Sequence, residues 1–275
     1  MRELIAPVSY QGGKQRLSRQ IIEEINRRVD LKGKTFVDLC CGSGAVGLES
    51  LIYCSNAVFV DKREMGNFYS SLNDFSLRDF KKEIDLLPEI EEIKDYLTQK
   101  SKEEVPTDNM QRVYLYLLLQ AGAFGSKQIW IEDKNWKNCS FRSYWKPTLT
   151  SNRRSPVNPM MPMPETLYQR VKNIVEEKEF ITGYQKDITD FIDSYDFTDC
   201  IVYLDPPYKD TTGYFDSLDI VPIIDKLKGR VPLFASYNEN LTDDTIEFGK
   251  RTKGNMNGVK KTEVVREILN CFDKG

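Results

Sequence analysis

Apolar positions recur at helical spacing in Leu17, Ile21, Ile22 and Ile25, directly after Gly12-Gly13, and predict a glycine turn feeding an amphipathic helix. Residues 35–40 are instead a short apolar run that stops at Gly42-Ser43-Gly44, and residues 45–53 resume helical character. That is a strand, turn, helix unit. A second apolar run, residues 57–60, ends on Asp61, as the next parallel strand of a doubly wound sheet would. From about residue 65 to 180 the alternation breaks. The chain is helical and charged, then rich in Tyr and Leu, then aromatic and basic, then Pro/Met-rich at 156–164. Strand-like runs resume at 180–182, 200–204 and 231–235, and 263–272 is a last pairable stretch after the turn residues 255–258. The pattern therefore predicts an α/β protein whose chain leaves its sheet and returns. Residues 1–64 and 181–275 form the sheet domain, and 65–180 are an inserted, mostly helical domain.

Composition narrows the chemistry. The chain has no histidine, which removes His-based triads and His-ligated zinc. Its six cysteines contain no C-x-x-C pair, no proline precedes a cysteine, and the N-terminus lacks the apolar stretch of a signal peptide. A cytoplasmic protein with reduced thiols is expected. The nearly apolar run at 113–124 is too short for a bilayer span and is interrupted by Gln120, so it reads as a buried helix. Neither a metal nor a membrane is called for. A cytosine-C5 methylase needs a cysteine nucleophile, usually after proline, and a zinc deaminase needs His-x-Glu; both are excluded.

Net charge is only −3, so an anionic partner must be sought in local patches. Residues 127–154 carry seven basic against two acidic side chains, and 250–266 carry six against one. The first patch holds all three tryptophans, Trp130, Trp136 and Trp145. Such a segment is either a solvated, partly packed surface or a nucleic-acid contact. Lys127, Arg142, Lys146, Arg153 and Arg154 are its candidates. Arg142, lying between Phe141 and Tyr144-Trp145, is the first choice for reading a base.

The sharpest motif is Asp205-Pro206-Pro207-Tyr208, directly after the apolar run 201–204. Two prolines fix φ and remove two donors, leaving a rigid, acceptor-rich corner next to an acid and a ring. That combination suits a planar amine-bearing group. It would also serve as a stiff loop whose aspartate caps a helix. Gly42-Ser43-Gly44 is a weak signal alone, but Asp61, 19 positions beyond Gly42, stands where a ribose diol would be gripped.

Tyr10-x-Gly12-Gly13-Lys14, Phe36-Val37-Asp38-Leu39-x-x-Gly42-Ser43-Gly44 and Asp205-Pro206-Pro207-Tyr208, in that order, resemble the Dam-type (D12 class) DNA adenine N6-methyltransferases. The likeness runs nearly end to end, with residues 113–116 followed by 125–145 resembling the start of the family's target-recognition insert and 267–270 its closing strand motif. It implies a Rossmann-like, seven-stranded methyltransferase fold and S-adenosyl-L-methionine as donor. The implied partner is double-stranded DNA from which one adenine is flipped; a cognate restriction enzyme would be a further partner. By the same resemblance Asp205, Pro206, Tyr208 and Lys14 are catalytic. Tyr10, Gly12, Gly13, Lys14, Asp38, Gly42, Ser43, Gly44, Asp61, Asp187, Ile188 and Asp205 line the cofactor site. Cys40 departs from the family, which usually has an aromatic residue there. The tryptophan-bearing insert departs too and leaves the target sequence open. Methylation of RNA adenine or cytosine N4 by the same fold, and a non-catalytic DNA-binding role, are the competing readings.

Overall fold

In the computed structural model of the chain, which describes residues 3–207, 218–253 and 263–272, the first strand β1 (Thr35–Leu39) is buried along nearly its whole length. Such a strand must be covered on both faces, and the sequence supplies the covers. Helix α1 (Ser18–Arg28) turns Ile21, Ile22 and Ile25 inward, with Arg27 and Arg28 at its carboxyl end, where cations suit the helix dipole. Helix α2 (Ala45–Ser50) follows the glycine turn, and β2 (Asn56–Asp61) pairs parallel to β1.

The next segment is helical. α3 (Glu64–Ser70) packs against β2, and α4 (Leu77–Asp85) and α5 (Ile93–Lys100) follow. α6 (Asn109–Gly122), capped by the Asp108 side chain accepting from Gln111 N at 2.8 Å, is the predicted buried helix. A short antiparallel hairpin, β3 (Trp130–Glu132) and β4 (Asn135–Lys137), comes next. After α7 (Pro164–Glu176) the chain re-enters the sheet as β5 (Ile181–Gln185), paired with β2 and packed beneath α3. One apolar core runs from Leu4 through Phe59 and Phe68 to Leu117 and Ile181.

α8 (Ile188–Ser194) leads to β6 (Cys200–Leu204), which pairs with the other edge of β1. α9 (Val221–Leu227) precedes β7 (Leu233–Tyr237). The sequence pattern placed that strand at 231–235; Pro232 has no N–H to give a ladder, and its carbonyl instead accepts from Val202 N at 2.9 Å. β8 (Thr245–Lys253) and β9 (Glu263–Phe272) close the sheet, β9 running antiparallel between β7 and β8. Tyr208, Lys260, Lys261 and the turn at 255–258 lie outside the described residues.

Among the described residues the large sheet has seven strands in the order β5-β2-β1-β6-β7-β9-β8. The chain winds outward from β1 on one side and from β6 on the other. A crevice must therefore open between the carboxyl ends of β1 and β6, the place where open α/β sheets bind ligands.

Candidate active site

Register decides which side chains meet at that crevice. Leu39 pairs with Val60 on one side and with Leu204 on the other. Cys40, Asp61 and Asp205 therefore stand at one edge of three adjacent strands. Asp205 N still donates to Leu39 O at 3.2 Å, and Cys41 N to Val60 O at 3.0 Å, so both loops leave the sheet under backbone control.

The turn after β1 needs left-handed backbone at Cys40 (φ 58°), Gly42 (φ 48°) and Gly44 (φ 77°). At Gly44 a Cβ would lie 2.2 Å from the Tyr69 hydroxyl, which itself donates to Ser43 O at 2.7 Å. Only glycine meets both demands. Asp61 braces the turn from the side: Oδ2 accepts from Gly42 N at 3.0 Å and Oδ1 from Arg63 N at 2.8 Å. Asp38 braces it from below, with Oδ2 accepting from Gly47 N at 2.9 Å. Burial pushes the Asp38 carboxyl well above the ordinary range, and the fields of Asp205 and Asp61 add to it. The N-terminal motif lies on top. A Cβ at Gly42 would stand 3.0 Å from the Tyr10 ring, and one at Gly13 would stand 3.0 Å from Tyr10 O and 3.6 Å from Ser43 Oγ.

Lys14 comes from that motif. Its ammonium is buried, 2.6 Å from Asp205 Oδ1 and 3.7 Å from Glu267 Oε2, and donates to Gly12 O at 3.1 Å. Asp205 keeps 18% of its side chain exposed, against 3% for Lys14 and 8% for Glu267. An acid that opens on the crevice is thus backed by a cation that does not. Pro206 is buried beside it.

The Cys40 thiol is pushed well up, first by burial and then by Asp61, Asp205, Asp38 and Asp187, whose fields converge on it. Asp187 caps α8, Oδ1 accepting from Thr189 N at 3.0 Å, and its Oδ2 pairs with Lys62 at 3.2 Å; the cap bond and then the lysine hold its carboxyl low. Ile188 is buried in the sheet core with Val58 and Val60.

Glu64 is the acid that the sequence reading passed over. It opens α3 three residues after Asp61, is only 6% exposed, and its Oε1 accepts from Ile131 N at 3.2 Å. Burial raises it from 4.5 to about 7, against the backbone bonds that lower it. A raised carboxylate binds its proton more tightly folded than unfolded, so stability is present below about pH 4.5 and falls as pH climbs toward 7. The full penalty is about 3 kcal/mol. Glu64→Gln keeps the acceptor and loses the titration. In urea melts its advantage over the wild type should grow between pH 5 and pH 8; a difference constant with pH would exclude the buried-acid account.

Residues 10–219 match the family model described as D12 class N6 adenine-specific DNA methyltransferase. The chain belongs to that family. It is therefore a methyltransferase, and its sheet is the Rossmann-like sheet expected from the motifs. Solved structures similar to it include a conserved hypothetical protein from Streptococcus pyogenes, 12% identical with a TM-score of 0.37 over 92% of this chain and 94% of that one. Another is the Escherichia coli methyltransferase-named protein yhhF, 11% identical with a TM-score of 0.39 over 98% of this chain and 92% of that one. Neither likeness is close enough to inform the chemistry. No curated protein sequence matches the chain.

In this D12-class methyltransferase the basic candidates lie within residues 127–154. Arg142 stacks over Phe124 at 5.9 Å and touches Met161 Sδ, with no carboxylate partner among the described residues. Lys127, Arg153 and Arg154 are exposed. Lys146 pairs with Glu91 at 3.3 Å and lies over the Tyr144 ring. Trp136 belongs to the core, stacked on Tyr116 at 6.4 Å. Among the described residues no His/Cys/Asp/Glu group could hold a metal, and no helix is long and apolar enough to cross a membrane.

Proposed function

We propose that this chain moves the methyl group of S-adenosyl-L-methionine onto the N6 amine of one adenine, flipped out of double-stranded DNA at a specific sequence. The observation that carries the reading is the pairing of Asp205, at the open end of β6, with the buried Lys14 ammonium beside the glycine turn.

The crevice suits the cofactor. A left-handed glycine cradle and an acid at the end of β2 suit a ligand with a ribose diol. Tyr10, Gly12, Gly13, Lys14, Asp38, Gly42, Ser43, Gly44, Asp61, Asp187, Ile188 and Asp205 are assigned to that site, the buried Asp38 and Ile188 as supports rather than contacts. When bound, the cofactor supplies an activated methyl group with its own leaving group, so no covalent enzyme intermediate is needed.

The protein's part is positioning and electrostatics. Adenine N6 is a poor nucleophile because its lone pair is delocalised into the ring. Asp205 and the Pro206 carbonyl accept hydrogen bonds from the two N6 hydrogens and draw the nitrogen toward tetrahedral geometry. The one N6 proton released as the methyl group is gained leaves to solvent past the open side of Asp205. Lys14 fixes the Asp205 carboxylate in place from behind. Tyr208 stacks on the flipped base. Residues 65–180 act as the target-reading insert on a catalytic domain of 1–64 and 181–275. In that insert Arg142 serves as the base reader, and Lys127, Lys146, Arg153 and Arg154 serve as phosphate contacts.

Asp61→Ala should raise the cofactor dissociation constant at least about tenfold, since one charge-assisted hydrogen bond is lost at about 1.5 kcal/mol and the Gly42 and Arg63 amides lose their acceptor. Calorimetric titration with S-adenosylhomocysteine reads this directly, and an unchanged constant would remove Asp61 from the site. The function itself is tested with methyl-labelled S-adenosyl-L-methionine and duplexes that contain or lack adenine. Label in N6-methyl-2′-deoxyadenosine from digested duplex DNA supports the reading. Label in RNA or in N4-methylcytosine, or none, overturns it.

A further inference from the structure

The backbone of residues 127–131 is gripped by side chains that come from elsewhere in the chain. Gln120, 1% exposed on α6, donates through Nε2 to Lys127 O at 3.0 Å and accepts through Oε1 from Ile129 N at 3.0 Å. Glu64 takes the next alternate residue, accepting from Ile131 N. Asn138 Nδ2 donates to Gln128 O at 2.7 Å. One turn before Gln120, Tyr116 stacks on Trp136, the residue paired with Ile131 across the hairpin.

The other ends of both grips lie at the crevice. Gln120 Nε2 also donates to Ser9 O at 3.3 Å, and Ser9 precedes Tyr10, whose ring covers Gly42. Glu64 follows Arg63, whose amide is held by Asp61, the same carboxylate that holds Gly42. A polar amide in the apolar run of α6 needs such partners, because a buried group left unsatisfied is costly. These partners join one edge of the insert to two loops of the crevice.

We propose that Gln120 and Glu64 are positioning residues that hold segment 127–131, with the exposed Lys127 at its head, in fixed register with the cofactor-binding loops. Duplex DNA gripped by the insert then delivers its adenine to Asp205. The inference rests on the reading of the site given above. Its effect falls on the DNA side of the reaction, since neither side chain is assigned a contact with cofactor or base.

The test uses the full chain, duplex DNA and S-adenosyl-L-methionine. Gln120→Leu removes the three hydrogen bonds at nearly constant size. The expected result is a folded protein with kcat/KM for DNA lower by about tenfold or more, as misplacement of a reacting group costs, while affinity for S-adenosylhomocysteine stays within about twofold. Glu64→Ala should act in the same direction. Glu64→Gln should restore the rate, because its amide oxygen still accepts from Ile131 N. Should Gln120→Leu fail to fold, the Glu64 pair decides. A folded Gln120→Leu variant with wild-type kcat/KM, Ala and Gln alike at position 64, or a parallel loss of cofactor affinity would each overturn the proposal. The wild type's rate on duplex DNA tests the underlying reading separately; no methylation there removes both.

Discussion

Replacing Asp205 by alanine is expected to lower the rate of methyl transfer about a hundred- to thousandfold, the size seen when one preorganised charge-stabilising group is deleted. Cofactor affinity should change only a few-fold. The reason is the division of labour in the crevice. The turn that would cradle the cofactor is braced by Asp61 and Asp38. Asp205 instead faces the open side and is oriented by Lys14 at 2.6 Å. Asp205→Asn should retain more activity than alanine, because one oxygen still accepts a hydrogen bond. Single-turnover rates with labelled cofactor, set beside equilibrium titrations of the same variants, separate chemistry from binding. Near-normal turnover by the alanine variant would end the proposed mechanism.

The largest stability effect should come from Lys14. Its ammonium stands between Asp205 and Glu267, at 2.6 and 3.7 Å, with 3% of its side chain exposed. Lys14→Met leaves two carboxylates in a poorly solvated place without the charge between them. Breaking a buried ion pair from one side costs about 3–5 kcal/mol, much more than the intact pair adds over an apolar substitute. Removing Glu267's charge as well, in Lys14→Met/Glu267→Gln, should recover part of that stability while methyl transfer stays lost. Urea denaturation of the two single variants and the double variant gives the coupling. A Lys14→Met variant within about 1 kcal/mol of wild type would mean that water, not the carboxylates, surrounds this lysine.

The comparison between pattern and structure divides along chain distance. β1, the glycine turn, α1, α6 and β6 were legible because each is set by neighbours a few residues away. Alternating or continuous apolar runs, a left-handed turn that only glycine fits, and an aspartate at a strand end are local facts. The order of three motifs identified the family for the same reason. The reach of Asp187 was legible only in part. As the cap of α8 it is a local feature, while its place in the field around Cys40 depends on β5 returning beside β2.

Gln120 and Glu267 show the other side. Gln120 was visible as a polar break in an apolar run, and Glu267 as part of a closing strand, but nothing nearby in sequence says what they bond to. Their partners are Ser9, Lys127 and Ile129 for one and Lys14 for the other. Glu64 looked like any acid in the first turn of a helix until β3 came to lie on it. The sequence by itself therefore determined those local elements, the family and the crevice-lining motifs. Only the tertiary structure decided which buried polar groups satisfy one another, because a hydrogen bond or ion pair inside a protein is specified by distance and desolvation in space, and neither is written in the spacing of residues along the chain.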